Sequence, residues 1–287
     1  MKPLSQLKQE VELNQSLGEI IAVLKMATAV QLRQMQGRPP WPEGFRQHLA
    51  ACLGILRRQA VSHPFFVAQE HLPACVAVIT SDEGFAGDLN NALIEAALAA
   101  RRAARGDPLV VLGERGAAYV EELGHPFVYF PGVSGEGTRQ DVDPLKQYLV
   151  RGYLAGRFGK VSLVAATCAR VGTHQVETDV LLPCREPAAQ GVAPPLPTAW
   201  LLEPSASRVA DAVGGLWVEA VLAARCRSSK LAELSARLMH LEGGDQELSR
   251  ANQVLARQYG TYVHARANKA ILEIAMARVN AERSPDA

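Results

Sequence analysis

The chain has 287 residues, 48% of them apolar and 21% charged, with a formal net charge of +1. That apolar content is enough to bury one large core or two modest ones and excludes a disordered polymer. The near-neutral balance excludes a broad basic face for nucleic acid, and no run approaches the ~20 apolar residues of a membrane span.

The N-terminal stretch "MKPLSQLKQEVELNQ" is charged and amphipathic and does not read as a secretory signal. In the helix that follows, Leu4, Leu7, Val11, Leu17, Ile20, Ile21, Leu24 and Ala27 recur at helical spacing. Pro39, Pro40 and Pro42 predict its end, and a second helix is expected from Phe45 to Val61.

The period then changes. "ACVAVITSD", "PLVVLG" and "PFVYFP" read as buried strands, each followed by a helical segment. "KVSLVAATC" and "HQVETDVLLP" follow, close enough to pair as a hairpin. Strands alternating with helices predict an α/β domain with a mainly parallel sheet. The proline-rich "REPAAQGVAPPLPTAW" reads as a connector. From about Ser205 to Ala281 the chain is helical and free of proline. At ~1.5 Å per residue such a helix outruns any compact domain of this size. It must therefore lie along a partner, and the N-terminal helix is the obvious one, in an antiparallel coiled coil. The predicted organisation is a helical segment over 1–61, an α/β domain over 74–184, a connector over 185–204 and a long helix over 205–283.

The loop "SDEGFAGDLNNALI", Ser81 to Ile94, raises the question of catalysis. It lacks the lysine of a phosphate-binding loop, Gly84 and Gly87 make only half of a dinucleotide fingerprint, and Asp82, Glu83 and Asp88 repel phosphate. A strand-to-helix turn is the better reading, with glycines at unusual backbone angles and Asp88 or a neighbour capping the helix. Cys52, Cys75, Cys168, Cys184 and Cys226 are scattered, odd in number and without a CxxC pair, so free thiols in a reducing compartment are expected. The seven histidines lack ligand spacing, so neither a metal nor another cofactor is expected.

Several motifs resemble the gamma subunit of rotary F-type ATP synthases along nearly the whole chain. "LKMATAVQLRQMQ" carries Lys25, Met26, Leu32 and Arg33 where that family has a Lys-Met pair and a later Leu-Arg pair. "SDEGFAGDLN" is similar to Ser-Asp-Arg-Gly-Leu-Cys-Gly-Gly-Leu-Asn, and "VVLGERGAAYV" and "ETDVLLP" resemble the next strand-turn and the end of the domain. Trp217, Glu219, Ser229, Glu233 and Arg237 keep the family spacing without a gap, and Tyr262, Arg266, Glu273 and Ile274 match further on.

The resemblance implies a long antiparallel coiled coil of the terminal helices plus a central Rossmann-like, mainly parallel α/β domain. It implies a non-catalytic central-stalk rotor that couples ion flow through a membrane ring to ATP synthesis or hydrolysis in a hexamer of alpha and beta subunits. Further implied partners are the epsilon subunit and the membrane rotor ring, with peripheral placement on the cytoplasmic face of the membrane. Implied hexamer contacts are Met26, Arg33, Arg237, Arg266, Glu273 and the turn with Ser81, Asp82, Gly84 and Gly87. Implied contacts to the ring are Trp200, Leu201, Leu202 and Glu203, whose apolar members have burial in the α/β domain as the other reading. Met26 also reads as a core filler, and Glu233–Arg237 as an exposed pair on a solvated face. Arg266 and Glu273 face either hexamer loops or Met26 and Arg33 across the coiled coil.

Several positions depart from the pattern. Glu83 stands where the family usually has arginine, Ala86 replaces a cysteine and Asp88 a glycine, Ala267 stands where glutamine is usual, and Ala270-Ile271 replace an Ile-Thr pair. Gly243-Gly244 interrupt the long helix, and the stretch from Arg237 to Tyr262 is three residues longer than usual, which implies a stammer. If Tyr259 is the match instead, the gap falls after it. The departures suit a divergent member, from an alternative ATPase moving protons or sodium. The competing readings are an α/β nucleotide-binding protein or enzyme with helical arms, and a gamma-like scaffold that does not rotate.

Overall fold

The computed structural model describes residues 4–36, 44–103, 108–133, 139–170, 172–184 and 201–282. The helices are α1 (Leu4–Gln36), α2 (Phe45–Arg58), α3 (Leu89–Ala103), α4 (Glu114–Glu122), α5 (Arg139–Leu154) and α6 (Ala206–Glu282). The strands are β1 (Ala74–Ile79), β2 (Leu109–Leu112), β3 (Val128–Phe130), β4 (Lys160–Arg170) and β5 (Thr173–Leu182). The chain divides into two compact units, one of Met1–Ala27 with Leu241–Ala287 and one of Thr28–His240. The prolines expected to end α1 and most of the 185–204 connector, Trp200 included, lie outside the described residues.

In the unit Thr28–His240 the sheet runs β3-β2-β1-β4-β5. β1 pairs in parallel with β2 and β4, β2 in parallel with β3, and β5 closes antiparallel on β4, as the spacing of the last two strands suggested. Every residue of β1 is buried, the signature of a strand covered on both faces. Cys75, Ala77 and Ile79 face a core shared with α2, α5 and α6, through Leu53, Leu149, Trp217 and Leu222. Val76 and Val78 face α3, through Leu89, Leu93 and Ile94.

The α6 helix completes this unit in a way that strand patterns do not announce. The β1 strand pairs with β4 only as far as Val78 with Val164. Past that point the backbone of β4 bonds to a helix: Ala166 N–H donates to Ser229 Oγ at 2.9 Å, and Ser228 Oγ donates to Ala166 O at 3.2 Å. Lys146 on α5 pairs with buried Glu219 on α6 at 2.5 Å, and Arg225 reaches Glu177 at 2.8 Å and Asp179 on the edge strand β5. Two hydrogen bonds, from Thr167 and Arg225, hold the Glu177 carboxyl below its ordinary range.

In the other unit the first 24 residues of α1 run antiparallel to α6. Asn14 Nδ2 donates to Asn252 Oδ1 at 2.9 Å, Lys25 Nζ lies 2.6 Å from Glu242 and 2.8 Å from Asp245, and Gly18 sits against Leu248. Leu7, Val11, Asn14, Gly18, Ile21 and Lys25 are all buried or half-buried, with alternating spacings of four and three, and Glu10 and Leu24 beside them are half-buried as well. The apolar stripe expected of this helix is therefore divided. Leu7, Val11, Ile21 and Leu24 face inward, whereas Leu17, Ile20 and Ala27 are exposed, together with Leu13 and Val23. One partner helix covers one stripe, and the sequence carries two adjacent ones.

Across Gly243-Gly244 the two helices keep nearly equal step. From Asn14 to Lys25 is eleven residues on α1, and from Asn252 back to Glu242 is ten on α6. Both glycines are helical, and a Cβ added to either meets nothing within 4 Å. Gly243→Ala and Gly244→Ala should each therefore raise stability by about 0.5–1 kcal/mol, read as a higher urea midpoint at unchanged m. Ser229→Ala should do the opposite. It strands the buried Ala166 N–H and should lower stability by about 1–3 kcal/mol in the same measurement.

Candidate functional site

Between β1 and α3 the chain turns through Ser81–Asp88, and nearly every polar group there is occupied. Ser81 is buried; its N–H donates to Asn90 Oδ1 at 3.1 Å, its hydroxyl donates to Glu83 O at 2.9 Å, and Asn90 Nδ2 donates back to Ser81 Oγ at 2.8 Å. The Asp82 carboxylate accepts from Glu114 N–H at 3.0 Å and Gly132 N–H at 3.1 Å, joining this turn to the two that follow β2 and β3. The Gly116 position lies directly under Thr80, where an added Cβ would come within 2.2 Å of Oγ1.

The far side of the turn is held by α6. Arg237 donates through Nε to Gly84 O at 2.9 Å, and pairs with Glu83 and with Glu233, each at 2.5 Å. Lys230 Nζ closes the row on Glu233 at 2.9 Å. Arg237 is 4% exposed and Glu233 5%, so the expected exposed pair is an internal one. The period of four residues was legible, but the loop that covers the pair comes from more than 140 residues away in sequence. Burial pushes the Glu233 carboxyl above its ordinary value, against the pull of Lys230 and Arg237.

The turn itself is left-handed at two residues, Gly87 with φ 60° and Phe85 with φ 65°. Glycine takes this conformation freely, whereas at phenylalanine it costs about 1 kcal/mol or more. Phe85 is also 57% exposed. Sequence reasoning singled out the acids and glycines of this loop and missed Phe85, Asn90 and Lys230. A lone aromatic among glycines and acids was the available signal for Phe85.

The strand order reverses between β1 and β4, and in open α/β sheets ligands bind outside the strand ends at such a point. Here Ser81, Asn90, Cys226, Ser229, Lys230 and Glu233 fill that crevice and leave a cavity of about 10 Å³. That is room for one water and not for a nucleotide. Burial pushes the Cys226 thiol up to about 12, which makes it a packing residue rather than a nucleophile.

The other expected contact residues are dispersed. Met26 is 72% exposed and so not a core filler, because the helix turns it away from α6. Arg33 is exposed, and Ser81 and Asp82 are spent inside the turn. Arg266 and Glu273 are not across from Met26. The antiparallel register sets Lys25 beside Glu242 and Asp245, so both lie farther along α6, exposed, with Glu273 3.9 Å from Lys269. From Val263 to Arg278 every residue of α6 is exposed, including Val263, Ile271, Leu272, Ile274 and Met276. Leu201 is 86% exposed, Leu202 half-buried and Glu203 exposed, so burial is not the role of Leu201.

Arg237→Ala should lower stability by about 3–5 kcal/mol, because it leaves a buried carboxylate short of a partner and Gly84 O without its donor. Glu83→Gln, at a side chain 60% exposed, should cost less than about 1 kcal/mol. Urea unfolding of both variants checks the contrast.

A family model described as ATP synthase matches residues 3–277. The ATP synthase gamma chain of Pelotomaculum thermopropionicum is 23% identical over 278 residues, covering 96% of this chain and 97% of that one. That of Xanthomonas oryzae is 23% identical over 279 residues, covering 94% and 96%. Among solved structures, a chain of the Euglena gracilis mitochondrial ATP synthase, in a structure of its OSCP, F1 and c-ring, superposes with a TM-score of 0.67 at 12% identity. It covers 99% of this chain and 97% of its own. A chain of the rotor from the same source gives 0.60 at 13% identity, covering 94% and 98%.

Proposed function

This chain belongs to the ATP synthase gamma family, and on that premise we propose that it is the central-stalk rotor subunit of an F-type ATP synthase. Its role is mechanical: it turns inside a hexamer of alpha and beta subunits, which carry the chemistry, and couples their ATP synthesis or hydrolysis to ion flow through a membrane ring. The observation that carries this reading is the apolar surface that the chain itself leaves uncovered. Leu13, Leu17, Ile20, Val23 and Met26 on α1, and Ile271, Leu272, Ile274 and Met276 on α6, are all exposed. A surface of this kind belongs against a partner. A sleeve that must let a shaft turn is better met by apolar side chains than by directional hydrogen bonds, and here Ala267 and Ile271 stand where the family has glutamine and threonine.

Met26, Arg33, Arg266 and Glu273 are exposed and available as hexamer contacts. Leu201, Leu202 and Glu203 suit the end that meets the ring and the epsilon subunit, and the rotor reading carries with it a peripheral position on the cytoplasmic face of the membrane. The ion is a proton or sodium. The filled crevice at the β1–β4 switch point speaks against the reading as a nucleotide-binding enzyme.

The test is reconstitution with the cognate alpha and beta subunits. ATPase activity should appear in the assembled hexamer and not with the chain alone, and a bead on the chain should turn during hydrolysis. Turnover by the isolated chain would support the enzyme reading. Assembly with activity but without rotation would support the scaffold.

A further inference from the structure

We propose that the two-helix unit, α1 up to Ala27 with α6 from Leu241 onward, opens as one piece while the unit Thr28–His240 stays folded. The reason is internal to the chain and does not depend on the rotor reading: its two units are packed very unequally.

Among the described residues of the two-helix unit, only Leu7 and Leu241 are apolar and buried. The α/β unit instead holds two clusters of buried apolar side chains, one on each face of the sheet. Of the heptad positions Leu7, Val11, Asn14, Gly18, Ile21 and Lys25, three carry no apolar side chain. A polar residue in such a seam fixes the register at a cost in stability. At Gly18 an added Cβ would stand 3.6 Å from Leu248, in ordinary contact, so the space for a side chain is there and unfilled. Grooves of about 830 Å³ and 390 Å³ flank the seam, the first lined by Leu7, Asn14, Leu255 and Tyr262, the second by Val11, Asn252 and Tyr259. A close-packed core leaves no such space.

Helices take most of their stability in a protein from a packed face, and this face is thin. It also ends early, because every residue of α6 from Val263 to Arg278 is exposed. Both helices are pinned where they enter the other unit. Thr28 and Met35 are buried there, and Arg227 donates to Met35 O. On α6, Ser229, Glu233 and Arg237 keep their bonds to the strand ends and the 81–88 turn. Gly243 and Gly244 lie just beyond those contacts, at the start of the two-helix unit, and glycine disfavours helix more than any residue but proline. Loss of helix there leaves the bonds of Ser229 and Arg237 in place, so opening has a natural boundary.

Hydrogen exchange of the full-length chain, read by mass spectrometry on peptic fragments, tests this. The slowest amides of residues 4–27 and 241–262 should exchange about a hundredfold or more faster than the slowest of β1 and α3. Asn14→Leu combined with Asn252→Leu puts apolar side chains in the seam. It should slow exchange of the two helical segments about tenfold and leave β1 and α3 unchanged. Ser229→Ala separates local opening from global unfolding: it weakens the α/β unit, so it should speed exchange in β1 and leave residues 4–27 as they were. Equal protection of the two units in the wild-type chain would overturn the proposal. Faster exchange of residues 4–27 in Ser229→Ala would overturn it too, since the helices would then part only when the whole chain unfolds. No slowing in the paired leucine variant would count against it as well, because the polar seam would not be what lets the unit open.

Discussion

The unit Thr28–His240 depends on how α6 meets the end of the sheet. The β4 strand outruns β1 and would leave backbone groups unpaired, and Ser228 and Ser229 take them up. A helix held that close brings Lys230, Glu233 and Arg237 over the strand ends, where they occupy the crevice and hold the 81–88 turn. The same contact removes a ligand site, immobilises a loop and buries the charge pairs. These are consequences of one docking geometry, because each group faces the sheet at successive turns of a single helix.

Much of this was legible in the chain. The change of period at Ala74, the buried runs of β1 and β2, and the closely spaced β4 and β5 gave the α/β class and the hairpin. A proline-free helix too long to stand alone gave the pairing of the termini. What stayed hidden was long-range. Glu233 and Arg237 looked like any helical surface pair, since the loop that covers them lies far away in sequence. Leu17 and Ile20 looked inward because apolar spacing does not say which of two neighbouring stripes has a partner. The strain at Phe85 was out of reach for a related reason: left-handed backbone at a large residue goes against its local preference, and only surrounding restraints impose it.

Charge placement follows a consistent rule. Glu219 with Lys146 and Glu233 with Lys230 and Arg237 set buried carboxylates against cations, and one-sided removal is the damaging change. Lys25, half-buried, instead meets Glu242 and Asp245 at the solvent edge of the seam, where such pairs contribute little energy and mainly favour one alignment over its neighbours.

The Asn14–Asn252 hydrogen bond extends that point from energy to mechanics. Two helices joined only by apolar side chains can slide past each other in heptad steps at small cost. A pair of side-chain amides in the seam makes each step leave polar groups without partners. The Asn14–Asn252 pair thereby favours one axial alignment of the two helices over its heptad neighbours.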